Sequence, residues 1–206
     1  MHTRSWRRIL LAAAAAAVAA SVALAASAPI ATAESFGFSP AGNISILGPV
    51  TLTTEEGSIR CRVTLSGTLT RSLVSAARGT AFGSLTEGRF SECEGGVTVR
   101  PLLPAELIVF QFLFPLGSER LVGILFLIER IGVLFEKLLS IQQCLFGPTA
   151  PMLLEVNTGL SGEIRPLATP SFRLLQTLGM GRCPLAMTLS GALRLSPQQE
   201  VIYLRI

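Results

Sequence analysis

The sequence predicts an all-β protein, mainly an antiparallel sandwich or barrel, on three observations. Short apolar runs recur along the chain, Gly and Pro punctuate them, and the clearest run alternates with period two. All 19 Gly and all but one of the 12 Pro lie beyond residue 33, spaced as turn signals. In Ile59-Arg60-Cys61-Arg62-Val63-Thr64-Leu65, apolar and polar residues alternate as on a half-buried strand. Strands this short and this frequent favour a sandwich or a barrel.

Residues 1–33 read as an export signal. Met1 to Arg8 carries Arg4, Arg7 and Arg8; Ile9 to Ala26 follows without a charge, and 11 of those 18 residues are Ala. Ala31-Thr32-Ala33 then supplies the small-x-small pattern cut by signal peptidase, before Glu34. The alternative is a retained N-terminal anchor, because 18 apolar residues can just span a bilayer. Arg7-Arg8 resembles a twin-arginine signal, although Trp6 stands where Ser or Thr is usual. The reading is therefore a signal peptide over 1–33 and a single disulfide-stapled β domain over 34–206.

Beyond Glu34 the strands predicted in order are 44–47, 50–54, 59–65, 67–70, 88–93, 97–102, 106–114, 153–156, 162–167, 186–195 and 201–206. Leu-Ser-Gly-x-Leu/Ile recurs at Leu65–Leu69, Leu160–Ile164 and Leu189–Leu193. A Gly inside a strand marks a bulge or a close backbone approach, so the echo reads as a recurring kink. A duplicated half-domain is the other reading.

One segment opposes the strand pattern. In 119–140, Leu121, Ile124, Leu125, Ile128, Ile131, Phe135, Leu138 and Leu139 fall on one helical face, which predicts a helix near 120–140. Gly123 and Gly132 oppose it, at about 1 kcal/mol each in a helix.

Cys61, Cys93, Cys144 and Cys183 form an even set in an exported chain, which favours two disulfides. Spacing alone leaves three pairings open. The flanks favour Cys61–Cys93, because Arg60 and Arg62 would meet Glu92 and Glu94 across neighbouring strands. Cys144–Cys183 follows. Each would close a loop worth about 3–4 kcal/mol in the chain-entropy picture.

A resemblance rests on further residues. Pro40-Ala41-Gly42-Asn43-Ile44, Ile59-Arg60-Cys61 and Thr64-Leu65-Ser66-Gly67-Thr68-Leu69 open the chain beyond Glu34. Ile131-Gly132 with Phe135, Cys144-Leu145, and Cys183 before Thr188-Leu189-Ser190-Gly191 close it. The chain in this respect resembles a group of small exported four-cysteine β-rich proteins of actinobacteria with no assigned activity. The resemblance implies a mostly β fold, with extended chain through 122–135.

Composition argues against most chemistry. The single His is His2 and the single Trp is Trp6, both in the export segment; there is no Asp, and Lys137 is the only Lys. Ser-His-Asp and Cys-His arrangements are therefore impossible beyond residue 33, and Asp-rich calcium loops are missing. No metal set is expected among separated Cys without His, and no cofactor motif is present. Glu92 and Glu94, two apart on a predicted strand, resemble an acid–base pair but read better as a solvated, Arg-matched face. Glu55-Glu56 before Gly57 reads as a turn, and Lys137 as a partner for Glu136. The expectation is no enzyme. Nucleic-acid binding is not expected either, since the net charge of +4 owes three charges to Arg4, Arg7 and Arg8.

One feature exceeds a plain core. Leu102 to Phe146 is dense in Leu, Ile and Phe, with Phe110, Phe112, Phe114, Phe126 and Phe135 as candidates for an apolar surface or pocket. The functional expectation is an exported, non-enzymatic module of the envelope or extracellular space acting by surface association, through an envelope component or by self-association. The first alternative is a carrier of an apolar small molecule in a β cavity. A membrane pore is the second, and the unalternating run Glu106–Phe114 counts against it.

Overall fold

Where the alternation is strongest the chain forms its longest strands. The computed structural model describes residues 34–114, 116–117, 121–137, 142–157 and 162–205. The export segment, Leu138, Leu139 and Leu160 lie outside them. β1 (Glu34–Ser39) leads into β2 (Asn43–Thr54), which turns at Glu55-Glu56 into β3 (Gly57–Leu69). A two-residue β4 (Val74–Ser75) precedes β5 (Ala81–Ser91), a 3-10 turn at Glu94–Gly96, β6 (Val97–Leu102) and β7 (Ala105–Leu113). Then come β8 (Gly123–Glu129), β9 (Gly132–Lys137), β10 (Gln142–Pro148) and β11 (Met152–Asn157). β12 (Glu163–Pro166), β13 (Ser171–Leu178), β14 (Ala186–Gly191), β15 (Leu193–Ser196) and β16 (Glu200–Arg205) complete the chain. The all-β fold is a barrel with additional sheet structure.

The ladders arrange these strands as eight antiparallel staves in chain order. β2, β3 and β5 are continuous staves. The other five are each two strands long: β6 with β7, β8 with β9, β10 with β11, β12 with β13, and β14 with β15. In one half the ladder β2–β3–β5–β7–β8–β11–β12–β15 closes on itself, because β15 returns to β2 at Leu47↔Arg194. In the other half it runs β5–β3–β2–β14–β13–β10–β9–β6. There β6 comes back alongside β5 without forming a ladder with it. A Cβ added at Gly88 of β5 would lie 2.7 Å from Pro101 Cγ of β6. The two halves thus share three strands and meet at a waist.

Glycine makes the waist. The ladder between β3 and β5 slips between Ser66 and Gly67, and a Cβ at Gly67 would collide with the Ser84 carbonyl. On the opposite side, β14 ends at Gly191 (φ +154°), where a Cβ would collide with the Pro49 carbonyl. Two of the three Leu-Ser-Gly echoes therefore sit where staves bend between halves, as a kink requires.

β2 and β3 bury Ile44, Ile46, Val50, Leu52, Val63 and Leu65 and expose Arg60 and Arg62. On these two strands the apolar residues point inward and the Arg residues outward.

The helix expected near 120–140 does not form: residues 123–137 are strands β8 and β9. Ile124, Phe126 and Ile128 are buried before Arg130, and Ile131 and Val133 after it. Arg130, at φ 61°, shifts the inward phase from even to odd positions. Two period-two patterns joined out of phase give 124, 128, 131 and 135, which imitates a helical face. Outward Leu125, itself only 8% exposed, completes the disguise.

Both expected disulfides are present. Cys61 pairs with Cys93 and Cys144 with Cys183, with Cα atoms 4.2 and 5.7 Å apart. Arg62 meets Glu92 at 3.8 Å, as the flanking charges suggested. Two disulfides are consistent with an extracellular protein. Among the described residues no helix is long and apolar enough to cross a membrane.

Candidate functional site

The interior of an eight-strand barrel is just wide enough either to be filled by side chains or to hold one small ligand. In this chain one half is filled by side chains and the other leaves a cavity. In the closed-ladder half, β1 pairs with β16 and β4 as a separate three-stranded sheet and brings Phe36 and Phe38 to the barrel. Phe36 is fully buried, edge-on to Phe82 at 5.9 Å and to Phe112 at 4.9 Å. Phe38 stacks on Phe82 at 5.2 Å, and Phe82 meets Phe126 at 6.0 Å. Such pairs add about 0.5–1.5 kcal/mol each beyond area burial. Only about 20 Å³ of space remains among Phe38, Ile46, Phe82, Leu107 and Phe126. This capped half is full.

The other half ends in a cavity of about 460 Å³. Its floor is Phe146 and Cys144, both buried. Its walls are half-buried Ile59, Val97 and Phe135, and exposed Glu56, Ser58 and Arg182 form the mouth. Three connections and the start of one strand build that mouth. The Glu55-Glu56 turn joins β2 to β3, the 3-10 turn contributes Gly95, β10 starts with Gln142, and the segment between β13 and β14 supplies Arg182 and Pro184.

The last segment is fastened three times. Cys183 is bonded to Cys144 of β10. The Gln142 amide Nε2 donates to the Arg182 carbonyl, and Gly181 leaves room for it, since a Cβ there would lie 2.6 Å from Gln142 Oε1. The Leu185 amide donates to Glu55 Oε1 at 3.2 Å, tying the segment to the β2–β3 turn. The mouth is held in shape by these bonds, so little ordering is left for a ligand to bring about.

The five Phe singled out from sequence are not gathered in one place. Phe112, Phe114 and Phe126 belong to the capped half; Phe112 and Phe114 pack on Tyr203 at 5.1 and 5.3 Å. Phe110 is the extra residue of a bulge in β7 and lies under the Arg78 guanidinium, 4.0 Å from the ring centroid. Phe135 alone of the five lines the cavity. Sequence reading missed Glu56, Ile59, Val97, Gln142 and Arg182 as a group. Their one signal was proximity to cysteines, which marks where loops are tied.

The carboxylate pair also reads differently. Glu92, at φ 54°, follows the end of β5, and Glu94 sits in the 3-10 turn, so they do not share a strand face. Glu55 and Glu56 form the expected turn. Glu136 meets Arg100 at 3.5 Å and accepts a 2.7 Å hydrogen bond from Gln143. Among the described residues no three His, Cys, Asp or Glu side chains gather as metal ligands. Among the described residues, the charged groups held away from their ordinary titration range are on β12. Arg165 Nη2 donates to Glu163 at 3.0 Å, and that bond and the Arg165 charge hold the Glu163 carboxyl below its ordinary range.

Comparison with known proteins identifies no relative: no family model, curated protein or solved structure matches the chain.

Proposed function

We propose that this is an exported, non-enzymatic β-barrel protein of the cell envelope or extracellular space that carries a small apolar molecule in the open half of its barrel. The cavity of about 460 Å³ carries the reading, because it falls within the roughly 300–1,000 Å³ of small-molecule sites. Its apolar floor and polar mouth have the layout such sites favour. The basic start, Ala-rich run and Ala31-Thr32-Ala33 support export with cleavage before Glu34, and the two disulfides fit an oxidising destination. Membership among small exported four-cysteine β proteins of actinobacteria belongs to the same reading. Envelope surface association is the second reading. It is favoured by Leu175, Leu178, Met180 and Leu185, which are 48–90% exposed on and after β13.

Native mass spectrometry of the secreted protein, alongside titration with the apolar dye N-phenyl-1-naphthylamine, tests the carrier reading. The expected result is a one-to-one complex with dye or co-purified lipid, weakened by Ile59→Trp, which narrows the cavity. A chain that binds no apolar probe and self-associates instead would leave surface association as the function.

A further inference from the structure

The cavity is not uniform with depth. At the bottom it offers Phe146 and Cys144, at mid-height Ile59 and Phe135, and only at the mouth does it offer charge. The charges there are of both signs. Glu56 stands on the β2–β3 turn and Arg182 on the segment between β13 and β14. They do not pair with each other, and neither belongs to an ion pair among the described residues. Both are exposed and remain available to a ligand. A purely apolar guest would leave this arrangement unused. A guest with a single charge would meet one attractive and one repulsive group.

Resting on the carrier reading above, we infer that the ligand is a single-chain amphiphile with a zwitterionic head. Its chain lies against Ile59, Phe135 and Phe146, and its head lies between Glu56 and Arg182. The cationic part of the head faces the Glu56 carboxylate and the anionic part faces the Arg182 guanidinium. One chain suits the volume, which is in the lower part of the range for small-molecule sites. Head recognition at an exposed mouth sets which amphiphile is kept, whereas the buried floor supplies most of the binding.

Calorimetric titration with four twelve-carbon probes below their micelle concentrations tests this inference: dodecylphosphocholine, dodecanoate, dodecyltrimethylammonium and dodecanol. Dodecylphosphocholine is expected to bind one-to-one and tightest. Glu56→Gln should weaken it about twofold to fivefold, the size of an exposed ion pair, while strengthening dodecanoate. Arg182→Gln should weaken it similarly while strengthening dodecyltrimethylammonium. Both variants should keep N-phenyl-1-naphthylamine binding, which reports an intact floor. If dodecanol binds as tightly as dodecylphosphocholine and neither variant changes any affinity, the head inference fails while the carrier reading stands. If none of the four probes and no dye binds, both fail together.

Discussion

The two halves of the barrel share β2, β3 and β5 and are built from the same eight staves, yet one is filled to its end and the other ends in a cavity. The capped half receives an extra sheet whose Phe36 and Phe38 complete an aromatic cluster with Phe82, Phe112 and Phe126. The open half receives no such insert. Its staves are instead fastened by covalent and polar links: Cys61–Cys93, Cys144–Cys183, and the bonds from Gln142 and Leu185. The contrast is physical. A barrel half that packs its interior gains burial and dispersion energy from the core. The open half packs Val63, Val99, Val133, Phe172 and Met187 but leaves its end unfilled, and there its walls are held by links between strands and loops. The two disulfides contribute to that, with Cys144 itself in the cavity floor.

The comparison can be broken most directly at Phe36. Phe36→Ala should cost about 3–5 kcal/mol by urea denaturation, because the ring is fully buried among other rings. Phe135→Ala, facing empty space, should cost less than about 2 kcal/mol. Equal losses would mean that the open half is as tightly packed as the capped one.

Next in size is the staple. The double variant Cys144→Ser with Cys183→Ser should lose about 2–4 kcal/mol. Hydrogen exchange should quicken in β10, β13 and β14 while β7 and β8 stay protected. Uniform quickening across all staves would show that the halves do not open separately.

Gly67→Ala tests the waist between them. A methyl there collides with the Ser84 carbonyl, so about 1–3 kcal/mol should be lost, with exchange quickened in both halves. An unchanged denaturation midpoint would mean the bend tolerates a side chain.

The smallest effect lies on β12 in the capped half. Removing the guanidinium with Arg165→Gln should raise the titration midpoint of Glu163 seen by NMR, because the bond and charge of Arg165 are the largest influences holding it down. Arg165 favours the ionised carboxylate in the folded chain. Its contribution is therefore present above the ordinary Glu range and disappears as pH falls through the lowered folded value. A midpoint that does not move would show that the 3.0 Å bond is not populated in solution.

Legibility followed the number of faces that each strand shows to water. β2 and β3 alternate because one side faces the barrel interior and the other faces solvent, so their period and even their exposed Arg residues were readable. β13 was missed: Leu174-Leu175 interrupts its alternation, and its partner β10 slips between Leu145 and Phe146. β1 was missed because its role is to deliver Phe36 and Phe38 to a barrel that no local pattern announces. The cavity was legible only as an expectation that some Phe would line it. Phe135 does, but its companions come from four separated stretches of chain.

The sequence by itself determined the all-β class, the inward face of its best strands, the cysteine pairing and the glycine kinks. Each of these is a local or nearest-neighbour property: a period of two, a charge match between flanks, or the absence of a Cβ. Tertiary structure alone decided that 123–137 is two strands with a phase shift rather than one helix, and that one half of the barrel is filled to its end while the other ends in a cavity. Those outcomes depend on which distant side chains share a space. Volume left over inside a closed sheet is a sum over all its staves, and no stretch of chain carries that sum.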